Sequence, residues 1–423
     1  MTPRRTVRTL RLADVGADDA ARWADLARRA VEPNPFLDPS FLLAAHRWFD
    51  DTGDIRLVVV EEDDRMVALL PLSRRPRFAP LPLPYATTAG PFLARRAPLC
   101  APLVDRHDTT DVLTTLLRHL GRRSSGFPGL LELTLFPGDG TLHDALHDAA
   151  RATGTPVLER YRFERAAGRP VAAPGSWRDL LSTSRRRKLR RFARALEEEL
   201  GQPLVGEERG DDPRALADFV ELEAAGWKGT TPGGGALRVV PHGVEWFTEV
   251  AEGFRARRLL RIFVLRAGDV TVYMSVKLVC GGGVFGVMDA YDERFARWSP
   301  GVVGRAAEVD QLLADPRVEL FDPCMHPKNA ASTALYPQRR TLVGLLLAPR
   351  GAIDRALVRS VPWLRSARST LRDGVRRAGD VTGRMRGRRA PAPGGGAASS
   401  GAGAPDGQGP ASVATSPADS ARS

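Results

Sequence analysis

The 423-residue sequence predicts a protein of the α/β class, with two tandem, related domains and a disordered tail. Stretches typical of β-strands alternate with stretches typical of helices, which indicates a layered structure of both. The order of helices, β-hairpin, strand, helix and strand occurs in each half and predicts a duplicated fold. Residues 390–423 contain almost no large apolar side chains, so they cannot bury enough surface to offset their chain entropy.

Changes in composition and stretches rich in loop-forming residues divide the chain into four predicted segments. A length of 423 residues is usual for two or three domains. The stretch 168–176 is rich in Ala, Pro and Gly and separates the two halves. The predicted segments are an N-terminal domain at 1–168, a C-terminal domain at 176–348, a basic amphipathic helical extension at 349–389 and a disordered tail at 390–423.

Local signals predict the elements of the first half. A helix at Ala17–Ala30 ends before Pro33, and the sequence Asp38-Pro39-Ser40 begins a second helix. Apolar, β-branched residues on both sides of a polar turn indicate a hairpin. The remaining predicted elements are hairpin strands at Ile55–Val60 and Met66–Leu72, a helix at Thr109–Arg122, a strand at Leu130–Phe136, a helix at Gly140–Thr153 and a strand at Thr155–Phe163.

The second half opens with a long predicted helix at Trp177–Leu200. Its Leu189, Phe192 and Leu196 recur at helical spacing, and Gly201 ends the helix. Glycine-containing turns of hairpin type then separate three β-rich stretches. The elements that follow are helices at Pro213–Ala225 and Gly243–Arg257, strands at Leu259–Arg266, Val270–Val279 and Gly283–Ala290, a helix at Val302–Leu313 and a strand at Val318–Phe321.

The composition argues against several classes of protein. Cys100, Cys280 and Cys324 stand far apart without a CxxC or Cys/His cluster, so neither a disulfide framework nor a metal site is expected. The basic N-terminus lacks the apolar stretch of a secretory signal, and no run of about 18 apolar residues appears. We therefore expect a cytoplasmic protein.

The net charge of +12 is unevenly distributed along the chain. Residues 350–389 contain twelve Arg and three Asp, a net charge of +9, and residues 390–423 carry −1, so residues 1–349 carry a net charge of only +4. That part includes a dense block of cations at 185–194, and the remainder is slightly acidic. A uniformly basic, nucleic-acid-binding surface is therefore not expected.

Short motifs of the second half resemble a known family in their order and spacing. They are Arg186–Arg191 (RRKLRR), Leu196–Glu199 (LEEE), Gly226–Gly229 (GWKG), Asp289–Asp292 (DAYD), Trp298–Gly301 (WSPG) and Phe321-Asp322. This series resembles the CelD/BcsL-type acetyltransferases of the GNAT superfamily, which are similar in layout to the Fem-type peptidoglycan aminoacyltransferases. The first half resembles the family by its layout and by the sequence ALLPL at 68–72.

The resemblance implies two tandem GNAT-like domains, each a mixed, mostly antiparallel sheet flanked by helices. One departure concerns the end of the series. Many relatives follow the last Asp with a Gly-containing segment and a Tyr-Lys pair, whereas residues 322–329 here read DPCMHPKN. This departure leaves the acceptor and the role of Lys328 open.

The resemblance also implies acyl-CoA (acetyl-CoA) as the donor, without a metal. In this fold a splayed strand offers a backbone N–H to the thioester carbonyl, and the next helix receives the pyrophosphate at its N-terminal end. Here these positions belong to residues 283–290 and 302–313. The donor-binding residues are then Ser299, Gly301, Val302, Gly304 and Arg305, although Ser-Pro-Gly before a helix is also an ordinary cap.

Carboxylates near the motifs are candidate catalytic groups, because an amine acceptor is protonated at neutral pH and needs a base or a water relay. The candidates are Glu223, Asp289 and Asp322, of which the last two each end a predicted strand. Asp292 is a further acid nearby. The alternative for Asp292 and Asp322 is that each caps the turn that follows it.

Neighbouring side chains are candidates for acceptor binding: Trp227, Lys228, Tyr291 and Lys328. A core position is the alternative for Trp227. His326 is a further candidate base. Cys324 has no His or Asn partner in the pattern of a thiol nucleophile, and GNAT chemistry is direct transfer, so no covalent intermediate is expected.

Two basic segments each have two interpretations. The block at 185–194 fits an acidic partner, such as tRNA, acyl carrier protein, an anionic glycan or the membrane surface, or else a solvated helix face. Within 352–378 an apolar side opposes many Arg, which fits either membrane-surface contact or packing on the folded core. Peripheral association at the inner membrane face is therefore one expectation.

These observations predict transfer of an acyl group from acyl-CoA to an amino or hydroxyl group of a small molecule, such as a sugar or a cell-envelope or polysaccharide precursor. Two alternatives stay open. One is a Fem-like transferase that uses aminoacyl-tRNA, the only nucleic acid expected as a partner. The other is a non-catalytic GNAT-like partner of a polysaccharide-synthesis complex.

Overall fold

Two β-sheets with helices packed on them form the fold, as expected for the α/β class. The structure is a computed structural model that describes residues 4–49, 54–78, 83–90, 97–172, 175–232, 234–327, 329 and 335–360. Lys328, the predicted extension beyond residue 360 and the predicted tail at 390–423 lie outside the described residues.

The first sheet has eight strands, seven of them from the first half of the chain. They are β1 (Arg5–Arg11), β2 (Arg56–Glu62), β3 (Arg65–Arg75), β4 (Tyr85–Thr87), β5 (Leu103–Val104), β6 (Leu130–Pro137), β7 (Val157–Ala167) and β13 (Gln338–Leu347). The order across the sheet is β1-β2-β3-β4-β6-β13-β7, and β5 pairs with β3. The predicted hairpin is the antiparallel pair β2–β3.

The described residues of the first half contain four α-helices in addition to this sheet: α1 (Ala17–Arg29), α2 (Pro39–Phe49), α3 (Thr109–Leu120) and α4 (Thr141–Ala152). Each has an apolar face that is buried, as with Trp23 and Leu26 of α1. The predicted helices of this half agree with these bounds to within two residues. The sequence did not predict β1.

The second sheet has five strands in the order β12-β11-β10-β9-β8. They are β8 (Leu204–Glu208), β9 (Leu260–Ala267), β10 (Val270–Cys280), β11 (Gly283–Tyr291) and β12 (Leu320–Asp322). The three predicted hairpin-linked strands are β9, β10 and β11, which pair antiparallel. Among the described strands of this sheet, only β12 pairs in parallel, with the start of β11. The sequence did not predict β8.

The helices of the second half are α5 (Thr183–Leu200), α6 (Ala215–Ala225), α7 (Trp227–Thr230), α8 (Gly243–Arg255) and α9 (Pro300–Ala314). The predicted helix at Trp177–Leu200 is divided. A 3-10 turn at Trp177–Leu180 precedes α5, because the Ser182 hydroxyl accepts the Arg185 N–H and caps a new helix. The short helix α7 overlaps the start of the Gly-rich stretch Gly229–Gly235, for which the sequence predicts a loop.

Strand β13 crosses from the second half of the chain into the first sheet. It lies between β6 and β7 and is antiparallel to both. Five of its last six residues are large, apolar and buried, as suits a central strand covered on both faces. The predicted C-terminal domain at 176–348 therefore shares its last strand with the first sheet.

One apolar core joins the two halves. The largest buried cluster contains side chains from both, and α2 packs against α8. The Phe41 and Trp246 rings meet edge to face with centroids 5.7 Å apart, and the Phe36 and Phe285 rings do so at 6.0 Å. Such aromatic pairs stabilise by about 0.5–1.5 kcal/mol beyond their buried area.

The chain beyond β13 begins the predicted basic extension. Residues 352–360 are helical, and Val358 packs on Leu130 and Leu346 of the first sheet. The Arg350 guanidinium donates to the Phe127 carbonyl at 2.9 Å. This first part packs on the folded core, and membrane contact through 352–378 stays a prediction. Within the described ranges no helix is long and apolar enough to cross a membrane.

Candidate functional site

The edge of β11 that faces away from β10 is only partly covered. Strand β12 pairs with β11 at three positions, from Gly283↔Leu320 to Phe285↔Asp322. At Gly286 the two segments still touch, since a Cβ there would lie 2.8 Å from the Pro323 carbonyl oxygen. Among the described residues no further strand pairs with this edge of β11. The edge along residues 286–291 is therefore not covered by another strand.

Backbone directions in β11 can be read from two hydrogen bonds. The Asp292 N–H donates to the Val272 carbonyl at 3.0 Å, on the β10 side. The Asp289 carbonyl instead accepts from Lys228 Nζ at 2.6 Å, on the free edge. Since an antiparallel residue points its N–H and C=O toward the same edge, the Asp289 N–H also faces the free edge.

A β-bulge lies two residues earlier in the same strand. Val276 pairs with Met288 and Lys277 with Gly286, so Val287 is an extra residue without a counterpart on β10. A bulge locally disrupts the ladder and bends its strand. The backbone amides near Val287 are therefore directed differently from those of a regular strand.

A pocket lies along the free edge of β11, where the α6–α7 junction faces the strand. It is small, with a cavity volume of about 20 Å³. The lining residues are Leu222, Glu223, Gly226, Trp227, Lys228, Asp289, Ala290, Tyr291 and Glu293. The structure thus brings together five of the predicted site residues, namely Glu223, Asp289, Trp227, Lys228 and Tyr291.

A carboxylate and a lysine meet in this pocket. The Lys228 ammonium lies 3.4 Å from Glu223 Oε1 and 4.0 Å from Asp289 Oδ1. The second Glu223 oxygen accepts the Leu237 N–H at 2.9 Å, which fixes the carboxylate. Glu223 is only 3% exposed, so its interaction with Lys228 is little screened by water.

The Asp289 carboxylate is paired with a cation from α9. Arg305 Nε donates to Asp289 Oδ2 at 2.6 Å, and the Tyr273 hydroxyl lies 3.5 Å from the same oxygen. Burial opposes the negative charge, but the Arg305 and Lys228 cations outweigh it and hold the Asp289 pKa below its usual value. Asp289 is therefore ionised at neutral pH and a weak proton acceptor.

The predicted donor-binding residues lie at the start of α9, next to the end of β11. Ser299 has φ 51°, and its carbonyl accepts the N–H groups of Val302 and Val303. A Cβ on Gly301 would lie 3.0 Å from the Tyr291 ring, and one on Gly304 would lie 2.2 Å from the Tyr273 ring.

The absence of side chains at Gly301 and Gly304 is thus explained by close packing of α9 on β11 and β10. Arg305 is likewise occupied, because its guanidinium is held by Asp289. Phosphate binding by these residues stays a prediction.

Asp322 is placed away from the pocket. Its side chain is fully buried, and Oδ2 accepts from Arg165 Nε at 3.0 Å and from Arg340 Nη1 at 2.9 Å. Its other oxygen accepts the Cys324 N–H at 2.9 Å. Both carboxylate oxygens accept hydrogen bonds from the protein, and through Arg165 and Arg340 Asp322 joins the second sheet to the first. Its predicted catalytic role is untested.

Three other residues near the motifs have local explanations. The Asp292 carboxylate accepts the Arg294 N–H at 3.0 Å and caps the following turn, which was the alternative interpretation. Burial raises the pKa of the Cys324 thiol well above its usual value, so the reactive thiolate is suppressed. His326 lies in the segment after β12, outside the residues that line the pocket.

Sequence reasoning missed several residues at or near the site. Glu293 lines the pocket and accepts the Trp227 N–H at 2.6 Å; its place directly after the DAYD motif was an available signal. Lys277 on β10 and Glu308 on α9 form a buried ion pair, and a lysine inside an apolar strand pattern was a signal too. Arg165 and Arg340 had no local signal. No group of three His, Cys, Asp or Glu side chains suited to a metal occurs in the described part of the chain.

The fold and pocket define an α/β protein with a small cleft at the free edge of a strand, where Glu223, Lys228 and Asp289 meet. Residues 183–325 match the family model described as an acetyltransferase (GNAT) domain. The chain thus contains a GNAT-type acyltransferase domain, and this domain contains the pocket. No curated protein matches the sequence of the chain.

Several solved structures are similar to most of the chain. FemX is 10% identical, with 81% of this chain and 97% of FemX covered and a TM-score of 0.51. A conserved protein of unknown function from Bacteroides thetaiotaomicron is 10% identical, with 81% and 99% covered and a TM-score of 0.49. The C-terminal domain of a putative lysylphosphatidylglycerol synthetase from Agrobacterium fabrum is 13% identical, with 81% and 94% covered and a TM-score of 0.47. At this identity the likeness to FemX concerns the fold alone.

Proposed function

We propose that this protein transfers an acyl group from acyl-CoA to an amino or hydroxyl group of a sugar or a cell-envelope or polysaccharide precursor. The observation that supports this most is the free edge of β11, where the Asp289 backbone N–H lies beside the Glu223–Lys228 pair. An acyl transferase needs a hydrogen-bond donor for the developing oxyanion and a proton acceptor within reach of the nucleophile.

The donor would lie between the free edge of β11 and the N-terminus of α9. The Asp289 N–H and the amides at the Val287 bulge are suited to bind a thioester carbonyl. For the phosphate groups we propose the N-terminus of α9 at Ser299 and Gly301, because the positive end of the helix dipole attracts anions. The Val302 and Val303 N–H groups themselves donate to the Ser299 carbonyl. Acyl-CoA supplies the activated acyl group, and the protein contributes binding and electrostatics.

The acceptor would enter from the side of α6 and α7. Trp227 and Tyr291 form walls of the pocket, and Glu223 is the carboxylate that we propose as proton acceptor. Asp289 is held ionised by Arg305, so its proposed role is to fix Arg305 and the end of β11. Asp322 and Lys328 stay candidates from the sequence, without support from the pocket geometry.

The CelD/BcsL-type assignment and the choice of a sugar or envelope precursor rest on the motif series in the sequence. In this proposal the protein acts in the cytoplasm, with peripheral contact at the inner membrane face as a further possibility to test. Vesicle flotation of the full chain against a chain ending at residue 360 tests that contact directly.

A Fem-like, aminoacyl-tRNA-dependent transferase is the second candidate, and two observations favour it. The fold resembles FemX. On α5 the side chains of Arg187, Arg190, Arg191 and Arg194 are exposed at helical spacing, and none of them has a carboxylate partner among the described residues. In the third candidate the domain is a non-catalytic partner of a polysaccharide-synthesis complex.

The deciding experiment is a thermal melt of the purified chain with a panel of acyl-CoA thioesters. A bound thioester stabilises by about 2.7 kcal/mol at a hundredfold excess over Kd. A saturable shift supports the first candidate. The absence of a shift with every thioester, together with steeply salt-dependent tRNA binding that is lost when the four arginines are changed to Gln, supports the second. If neither ligand binds, the non-catalytic candidate is favoured.

A further inference from the structure

The lysines of this protein occupy very different environments. The chain has four lysines, at 188, 228, 277 and 328. Lys188 is exposed on α5, whereas Lys277 is 3% exposed and paired with Glu308. Lys228 alone among the described lysines lines the pocket at the free edge of β11.

The position of Lys228 relative to Asp289 is the central observation. Lys228 Nζ lies 2.6 Å from the Asp289 carbonyl oxygen. The N–H of the same residue points to the same edge of the strand. An acyl carbonyl accepted by the Asp289 N–H would therefore lie next to the Lys228 nitrogen, which is the proximity that favours direct attack.

A proton acceptor is already in place for such an attack. Glu223 Oε1 lies 3.4 Å from Lys228 Nζ, and the carboxylate is fixed by the Leu237 N–H. The Lys228 side chain is 16% exposed, so little water competes for the acyl group.

We propose that Lys228 is a self-acylation site, which takes the acyl group from the thioester when no acceptor occupies the pocket. This inference rests on the proposed use of acyl-CoA. Lys228 Nζ first gives one proton to the Glu223 carboxylate and then attacks the thioester carbon. A C–N bond forms, the C–S bond breaks, and the second proton passes from nitrogen to the departing CoA sulfur, leaving an amide at Lys228.

Self-acylation would also change the pocket. The amide no longer carries a positive charge, so the ion pair with Glu223 is lost. The acyl group would occupy space that the acceptor needs. The modified protein is thus expected to be inactive in transfer, and an acceptor that fills the pocket should protect Lys228.

The test is incubation of the full chain with acetyl-CoA alone, followed by intact-mass measurement and peptide mapping of all four lysines. The exposed Lys188 serves as the internal reference for uncatalysed acetylation by acetyl-CoA in solution. We expect acetylation of Lys228 at least about tenfold faster than that of Lys188, which corresponds to about 1.4 kcal/mol. Lys228→Arg should abolish the label, and Lys188→Arg should leave it unchanged.

The variant Glu223→Gln tests whether Lys228 is acetylated because Glu223 accepts its proton or only because the lysine is accessible to the thioester. This variant keeps Lys228 and an oxygen for the Leu237 N–H, and it should slow Lys228 acetylation by at least tenfold. Equal labelling of Lys188 and Lys228, or no labelling of Lys228 while acetyl-CoA still raises the melting temperature, would overturn self-acylation and leave the proposed function standing. No labelling and no thermal shift with any thioester would overturn both.

Discussion

The Arg165 guanidinium, on β7 of the first sheet, donates from Nε to the Asp322 carboxylate on β12 of the second sheet at 3.0 Å. Both side chains are at most 3% exposed. Asp322 is also the last residue of β12 to pair with β11, opposite Phe285. The first sheet therefore holds the strand at the point where the free edge of β11 begins, and it supports the pocket without contributing a residue to its lining.

Asp322→Asn is expected to lower the free energy of unfolding by about 3–5 kcal/mol. The substitution leaves Arg165 buried without its anion and Arg340 with Glu32 alone, and an unpaired buried charge is costly. Urea unfolding measures this loss. The control is Glu159→Gln, which removes an exposed partner of Arg162 and should cost less than about 1 kcal/mol. Equal losses in the two variants would contradict the proposed link between the sheets.

Acid should destabilise the protein partly through Asp322. Burial opposes its charge, but Arg165 and Arg340 outweigh burial and hold the folded-state pKa of Asp322 below its usual value. The resulting stability is present above the unfolded-state pKa of about 3.9 and is lost as the pH falls through the lower folded-state pKa. Urea midpoints between about pH 7 and pH 2.5 should fall mainly below pH 4. Asp322→Asn should show a shallower fall, and parallel curves would contradict the assignment.

Gly304→Ala should destabilise the packing of α9 on the second sheet. The added Cβ would lie 2.2 Å from the Tyr273 ring, so helix or ring must move. Overpacking of this kind costs about 1–3 kcal/mol. The matched control is Gly168→Ala, whose Cβ would meet its nearest neighbours at an ordinary 3.6 Å. A thermal melt that shows no difference between the two variants would contradict this packing.

Glu223→Gln should reduce kcat for acyl transfer by about 10²–10⁴, the usual contribution of a positioned proton acceptor. The amide oxygen can still accept the Leu237 N–H, so the fold and the KM for acyl-CoA should change little. Glu221→Gln is the control, because Glu221 lies on the same helix but is exposed and pairs with Arg238. The measurement is steady-state kinetics with a thioester that raises the melting temperature of the protein. Loss of activity in both variants, or in neither, would argue against Glu223 as the base.

The part of the fold that the sequence predicted best is the stretch from β9 to α9. There the periodicity, the hairpin turns and the Ser-Pro-Gly cap are local signals, and local signals decide local elements. β8 and β13 were missed for a different reason. β8 is short and mostly exposed, so it lacks an apolar pattern. β13 belongs to the first sheet because it pairs with β6 and β7, which are distant in sequence.

The sequence by itself determined the α/β class, most element types and the segments that meet in the pocket. Glu223, Lys228 and Asp289 were predicted because each belongs to or adjoins a short motif. Only the tertiary structure decided that Asp289 faces the pocket while Asp322 is enclosed by Arg165 and Arg340. The physical reason is that the local sequence of a charged residue at a strand end does not show whether its partner is a ligand or a distant arginine. The partner of Asp322 is supplied by the crossing of β13 and by β7, at separations of 18 and 157 residues along the chain.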